Sequence, residues 1–208
     1  MEKPEEIKED LDEFYVQALM LAEVVRRILK QKADTELSRK PILELKPISH
    51  FMRRMRISSY EKFNETTYIS AVNFFKTEED MEEHNAVGAI VIYIGEDYIV
   101  RLFQDLGYPV FDEDDQESLE DACGTFCNLI AGNFKSGLAQ LGYKDLFMSP
   151  FSSYRNEIIN GVECDPDQLQ KYEIHFEIKD KKRIVADLTM GILPKNEPED
   201  QSKGKKGT

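Results

Sequence analysis

Cysteine is scarce, with three residues in 208, and only 27 residues are lysine or arginine against 40 aspartates and glutamates. Three thiols in a chain of this length do not make a disulfide framework, and they point to free cysteines in a cytoplasmic setting. The formal charge of −13 argues against a DNA- or RNA-binding surface, because phosphate binding needs clustered lysine and arginine. Long apolar runs are missing as well. The longest, Ala86 to Ile94, falls far short of the ~20 residues a membrane helix needs. Met1 to Glu6 carry neither the apolar segment nor the cleavage site of a secretory signal. There is no Walker loop, GxGxxG, HExxH or GxSxG. What is present is a chain 41% hydrophobic, enough for a core, at a length that suits one domain of roughly 100–200 residues.

The stretch 1–10 is a polar, mostly acidic extension. From Leu11 a helical period begins: Phe14, Tyr15, Ala18, Leu19, Ala22, Val25, Ile28 and Leu29 share one stripe. Acids lead this helix, and Arg26, Arg27, Lys30 and Lys32 trail it, which suits the helix dipole. Residues 41–75 read as extended chain, bracketed early by Pro41 and Pro47; the piece from Phe51 to Tyr60 is ambiguous, and Thr66 to Phe75 is a strand. A charged turn over 76–85 precedes a near-continuous apolar strand, Val87 to Ile94, which belongs at the centre of a sheet. Glu96 to Leu106 reads as a helix closed by Gly107, and 112–115 as an acidic loop. Glu117 to Leu141 is the strongest helix. Strands at Phe147–Tyr154, Tyr172–Ile178 and Arg183–Leu193 follow, the last two joined by a hairpin loop at Asp180-Lys181-Lys182. Residues 195–208 read as a disordered polar tail, which leaves 11–194 as a single domain.

On a wheel of about 100° per residue, Leu119, Ala122, Cys123, Phe126, Ile130, Phe134, Leu138 and Leu141 of the long helix fall on one side, a core face. Glu117, Asp121, Thr125, Asn128, Gly132 and Lys135 form a narrow polar stripe opposite, flanked by Gly124 and Ala131. Inside a helix Gly124 and Gly132 cost about 1 kcal/mol each relative to alanine. Either another molecule approaches the backbone here, or a neighbouring element of the same chain packs against it; glycine alone does not separate the two.

The run Asp121-Ala-Cys-Gly-Thr-Phe-Cys-Asn-Leu-Ile-Ala-Gly resembles the signature helix of the CheX/CheC/FliY phosphatase family, which acts on the phosphorylated chemotaxis regulator CheY. The family pattern is Asp, then Gly-Glu-x-x-Asn-x-x-x-Gly, then a later Pro. Asp121, Gly124, Asn128, Gly132 and Pro150 match it. The single copy of the motif is more like CheX than CheC. The resemblance implies an α+β fold with a largely antiparallel sheet covered by helices, the signature helix among them. It implies docking on a phosphorylated CheY-like receiver, with Asp121, Gly124, Gly132 and Lys135 at the contact and Asn128 orienting water toward the aspartyl phosphate. It also implies homodimers with paired sheets. No cofactor of its own is expected; magnesium belongs to the receiver. At the position of the family's catalytic Glu stands Thr125, which carries no charge for the receiver's lysine. Asp121 lies seven residues from Asn128, about 10.5 Å along the axis, against about 4.5 Å for the motif spacing. Two functions follow: aspartyl-phosphate hydrolysis with weakened turnover, or a non-catalytic adaptor that keeps the docking helix.

Other candidates read as structural. Cys123 and Cys127 point to the core, so a metal or nucleophile role with Cys164 and His175 is not expected. His175 alternates with Ile174 and Phe176 and reads as a solvated strand histidine; His50 and His84 carry no motif. Asp165, Asp167, Asp180 and the 112–115 loop lack EF-hand spacing.

Overall fold

The computed structural model describes residues 12–109 and 115–196. The 1–10 extension, most of the 112–115 loop and the tail beyond Asn196 lie outside them. The first helix, α1 (Glu13–Lys32), is capped by Asp12, whose carboxylate accepts from the Phe14 N–H at 3.1 Å. Its stripe Ala18, Leu21, Ala22, Val25, Ile28 and Leu29 is buried, while Tyr15 and Leu19 stay exposed.

The main sheet has seven strands, every pairing antiparallel, in the order β1 (Ile42–Pro47), β9 (Gln170–Ile178), β10 (Lys181–Met190), β5 (Gly88–Gly95), β4 (Thr67–Phe75). Beyond β4 lie two short strands, β6 (Phe147–Met148) and β7 (Ser152–Arg155). As the apolar run predicts, β5 is central and buried along its length. The expected single strand over 147–154 is broken in two, because Pro150 has no N–H to give the ladder. Between β9 and β10 the turn is two residues long, Lys179 and Asp180, both at positive φ (51° and 59°), one residue earlier than expected.

Strand alternation sends two sets of side chains to opposite faces. Tyr68, Val72, Phe74, Ile90, Ile92, Phe176 and Leu188 join the core beneath α1, α3 (Glu96–Asp105) and α4 (Gln116–Gln140). Gly107 ends the α3 region at φ +83°, the left-handed position that favours glycine. On the other face, Ile69, Val91, Tyr93 and Val185 pack on Met55, Ile57 and Val162. These last come from a second sheet of three strands: β2 (His50–Phe51), β3 (Arg54–Ser58) and β8 (Ile158–Val162). The ambiguous 51–60 stretch therefore contains strands, and β8 is an element that periodicity did not assign. Within the charged 76–85 turn there is a short helix, α2 (Glu78–Glu82), capped by Thr77.

The second face also holds a buried ionic network. Asp187 is fully buried on β10; it accepts from Lys171 Nζ at 2.6 Å, Tyr93 Oη at 2.8 Å and Lys62 Nζ at 3.0 Å. Lys62 also pairs with Glu173, whose other oxygen lies 2.7 Å from His175 Nε2. Burial pulls the Lys62 ammonium toward neutrality, but Asp187 and Glu173 outweigh it and raise its pKa. His175 is thus half-buried and partnered, not a solvated strand histidine.

Candidate functional site

Helix α4 begins at Asp115, whose carboxylate accepts from the Ser118 N–H at 3.2 Å. Seven of the eight expected core residues are buried. The exception, Leu141, is exposed because the helix ends at Gln140 and leaves it at the C-cap. The helix packs on β4, β5, β7 and α1. Cys123 and Cys127 lie inside this contact. Burial pushes both thiols up, Cys127 to about 12, and the Cys127 thiol donates to the Ser70 carbonyl at 3.5 Å. Cys164 is buried as well and pushed up to about 11. None is poised as a thiolate.

The outer stripe is a ridge. Glu117, Asp121, Thr125 and Asn128 are exposed, and Gly132 and Lys135 are half-buried. Among the described residues neither the Asn128 carboxamide nor the Thr125 hydroxyl has a hydrogen-bond partner. Asn128 therefore presents a free donor and a free acceptor to solvent.

The glycines of the motif have different causes. A Cβ on Gly124 would stand 2.1 Å from two ring carbons of Phe151. Phe151 follows Pro150 and leads into β7, so this segment lies across the helix and closes that flank. Gly124 is buried by its own chain, the second of the two causes that glycine alone does not separate. At Gly132 a Cβ would meet nothing within 4 Å. Of the two glycine flanks, Gly132's is the open one among the described residues. Lys135 is not free either: its ammonium lies 3.2 Å from Asp145 Oδ1, with the aspartate largely exposed. That pair contributes little to stability and is readily opened.

The helix's own carboxylates, Glu117, Glu120 and Asp121, all lie in its N-terminal half. Asp121 is one turn before Thr125 and two before Asn128. Glu120 sits beside Arg155 and Glu157, and burial raises its pKa; Arg155 is itself held 2.7 Å from Glu96. The turn of Asn128 carries no acid, so the helix offers Thr125 no replacement. Among the described residues its outer face likewise presents no cluster of metal ligands. Phe151 and Asp145, which shape the ridge, were invisible to helical periodicity because they lie outside the helix.

No family model matches the sequence, and no curated protein sequence matches it. Solved structures do. The chemotaxis protein CheX of Vibrio vulnificus aligns with a TM-score of 0.57 at 15% identity, covering 83% of this chain and 97% of that one. This chain has the CheC/CheX fold. A CheC-like superfamily protein from Shewanella sp. PV-4 aligns at TM-score 0.54 and 17% identity, covering 83% and 95% of the two chains. The CheX–CheY–BeF3–Mg2+ complex of Borrelia burgdorferi aligns at TM-score 0.50 and 14% identity, covering 86% and 98%. Among the described residues no helix is long and apolar enough to cross a membrane.

Proposed function

We propose that this chain docks through the outer ridge of α4 on a phosphorylated CheY-like receiver and accelerates hydrolysis of its aspartyl phosphate. The observation that carries the reading is Asn128: an exposed, unpartnered carboxamide on a ridge whose Gly132 flank is open. Placed beside an acyl phosphate, the amide accepts from a water and donates to it or to a phosphoryl oxygen, which fixes the water in line with the phosphorus. The receiver brings its own magnesium and lysine. Support for the partner class comes from the complex of a similarly folded CheX with CheY.

A second reading, a docking protein without turnover, is favoured by Thr125. The family Glu anchors the receiver's lysine, and a hydroxyl makes no ion pair. Pairing of two copies is part of the same proposal. β1 borders the sheet with one edge unpaired among the described residues, and the apolar groups Tyr15 and Leu45 are exposed there on either side of Tyr172.

Phosphate release from a phosphorylated receiver, with and without this chain, tests the site. Asn128→Ala is expected to remove the acceleration, and Thr125→Glu to raise it by rebuilding a carboxylate one turn from the amide. Equal acceleration by wild type and Asn128→Ala refutes the assignment; binding with no rate change in any variant selects the second reading.

A further inference from the structure

On the face of the main sheet away from the helices, Glu44 of β1 stands directly opposite Glu173 of β9, with His175 two residues along the same strand. Two carboxylates facing across an antiparallel ladder repel each other, so this pairing is one that strand stability alone does not select. One ligand atom from each of Glu44, Glu173 and His175 lies within 4.8 Å of the other two. The set is fixed on its inner side. Glu173 divides its oxygens, one held by Lys62, the other 2.7 Å from His175 Nε2. Such a carboxylate is oriented from behind, as metal ligands commonly are. On the outer side Glu44 is 41% exposed and, among the described residues, paired only with Lys46, itself 42% exposed, an ion pair that opens readily.

We infer that Glu44, Glu173 and His175 form a binding site for a first-row transition-metal dication such as Zn2+. The imidazole excludes magnesium and calcium, which take oxygen ligands only, and two carboxylates with one imidazole match zinc's borderline preference. In a tetrahedral site, ligands about 2.0–2.2 Å from zinc sit roughly 3.3–3.6 Å apart, so rotation of the His175 ring away from Glu173 admits the ion. Binding replaces the His175 Nε2–Glu173 hydrogen bond with bonds to the metal, any proton on Nε2 passing to Nδ1 or to solvent, and moves the Lys46 ammonium into water. Three protein ligands leave one position open for water or an outside ligand. This site is independent of the α4 ridge.

The test is isothermal titration of the full, chelator-stripped chain with zinc chloride, accompanied by thermal melts to confirm folding. The wild type is expected to show one saturable site. His175→Ala and Glu44→Gln are each expected to weaken it by about tenfold or more. His84→Ala, which removes the histidine paired with Glu163, is expected to leave it unchanged. Wild type without saturable binding, or affinity retained in either Glu44→Gln or His175→Ala, overturns the assignment.

Discussion

Alanine at Gly124 and alanine at Gly132 are the same chemical change on one helix, and the structure gives them opposite signs. In a helix interior alanine is favoured over glycine by about 0.8–1.0 kcal/mol. At Gly132 the new methyl group meets nothing within 4 Å, so that gain is realised, and the melting temperature rises by roughly 2–4 °C for a chain of this size. At Gly124 the methyl carbon would stand 2.1 Å from two Phe151 ring carbons, against a contact distance of about 3.5–4.0 Å. The ring must leave or the helix must shift, and overpacking of this kind costs about 1–3 kcal/mol. Propensity is common to both variants, so the difference between them isolates the clash: Gly124→Ala falls below Gly132→Ala by about 1–3 kcal/mol. Urea denaturation of the two proteins measures it. Adding Phe151→Ala to Gly124→Ala should remove the clash, leaving only the loss of the phenyl group. Equal stability of the two glycine variants would refute the account of Phe151 seated on α4.

The ionic network beneath the second sheet gives two further predictions. Asp187→Ala leaves Lys62 and Lys171 buried without their shared carboxylate and is expected to destabilise the fold by about 3–5 kcal/mol, read from the urea midpoint; a loss under 1 kcal/mol would contradict the network. Glu173 titrates at about 2 against an ordinary 4.5: burial raises it, and the hydrogen bonds and charges of His175 and Lys62 more than reverse that. A depressed carboxylate contributes stability above its unfolded pKa, and that contribution is lost as pH falls from 4.5 toward 2. Stability measured across that window should fall less steeply in Glu173→Gln than in wild type; parallel profiles would show that Glu173 does not hold this charge pairing.

Much of the fold was legible where one period dominates. The stripe of α4, from Leu119 to Leu138, faces one core, and the apolar run of β5 is buried on both faces, so burial follows sequence directly. The second sheet was not legible for the opposite reason. In β3, Met55 and Ile57 alternate with Arg54 and Arg56 over only five residues, and in β8 Asn160 and Gly161 interrupt the apolar positions. Asp187 and Lys62 are 125 residues apart, so no local pattern joins them. At the ridge, the exposure of Asn128 followed from the wheel. The cause of Gly124 did not, since it depends on Phe151, 27 positions later, and glycine alone fits both an open and a covered surface.

The central claim is that the Asn128–Gly132 part of α4 is a docking surface for a phosphorylated receiver. The most direct measurement is the affinity of such a receiver for wild type and for Gly132→Trp, which places a bulky ring on the open flank while leaving the core untouched. Saturable, phosphorylation-dependent binding that Gly132→Trp weakens by about tenfold or more, some 1.4 kcal/mol, is the predicted result. Binding of equal strength by both proteins would contradict it.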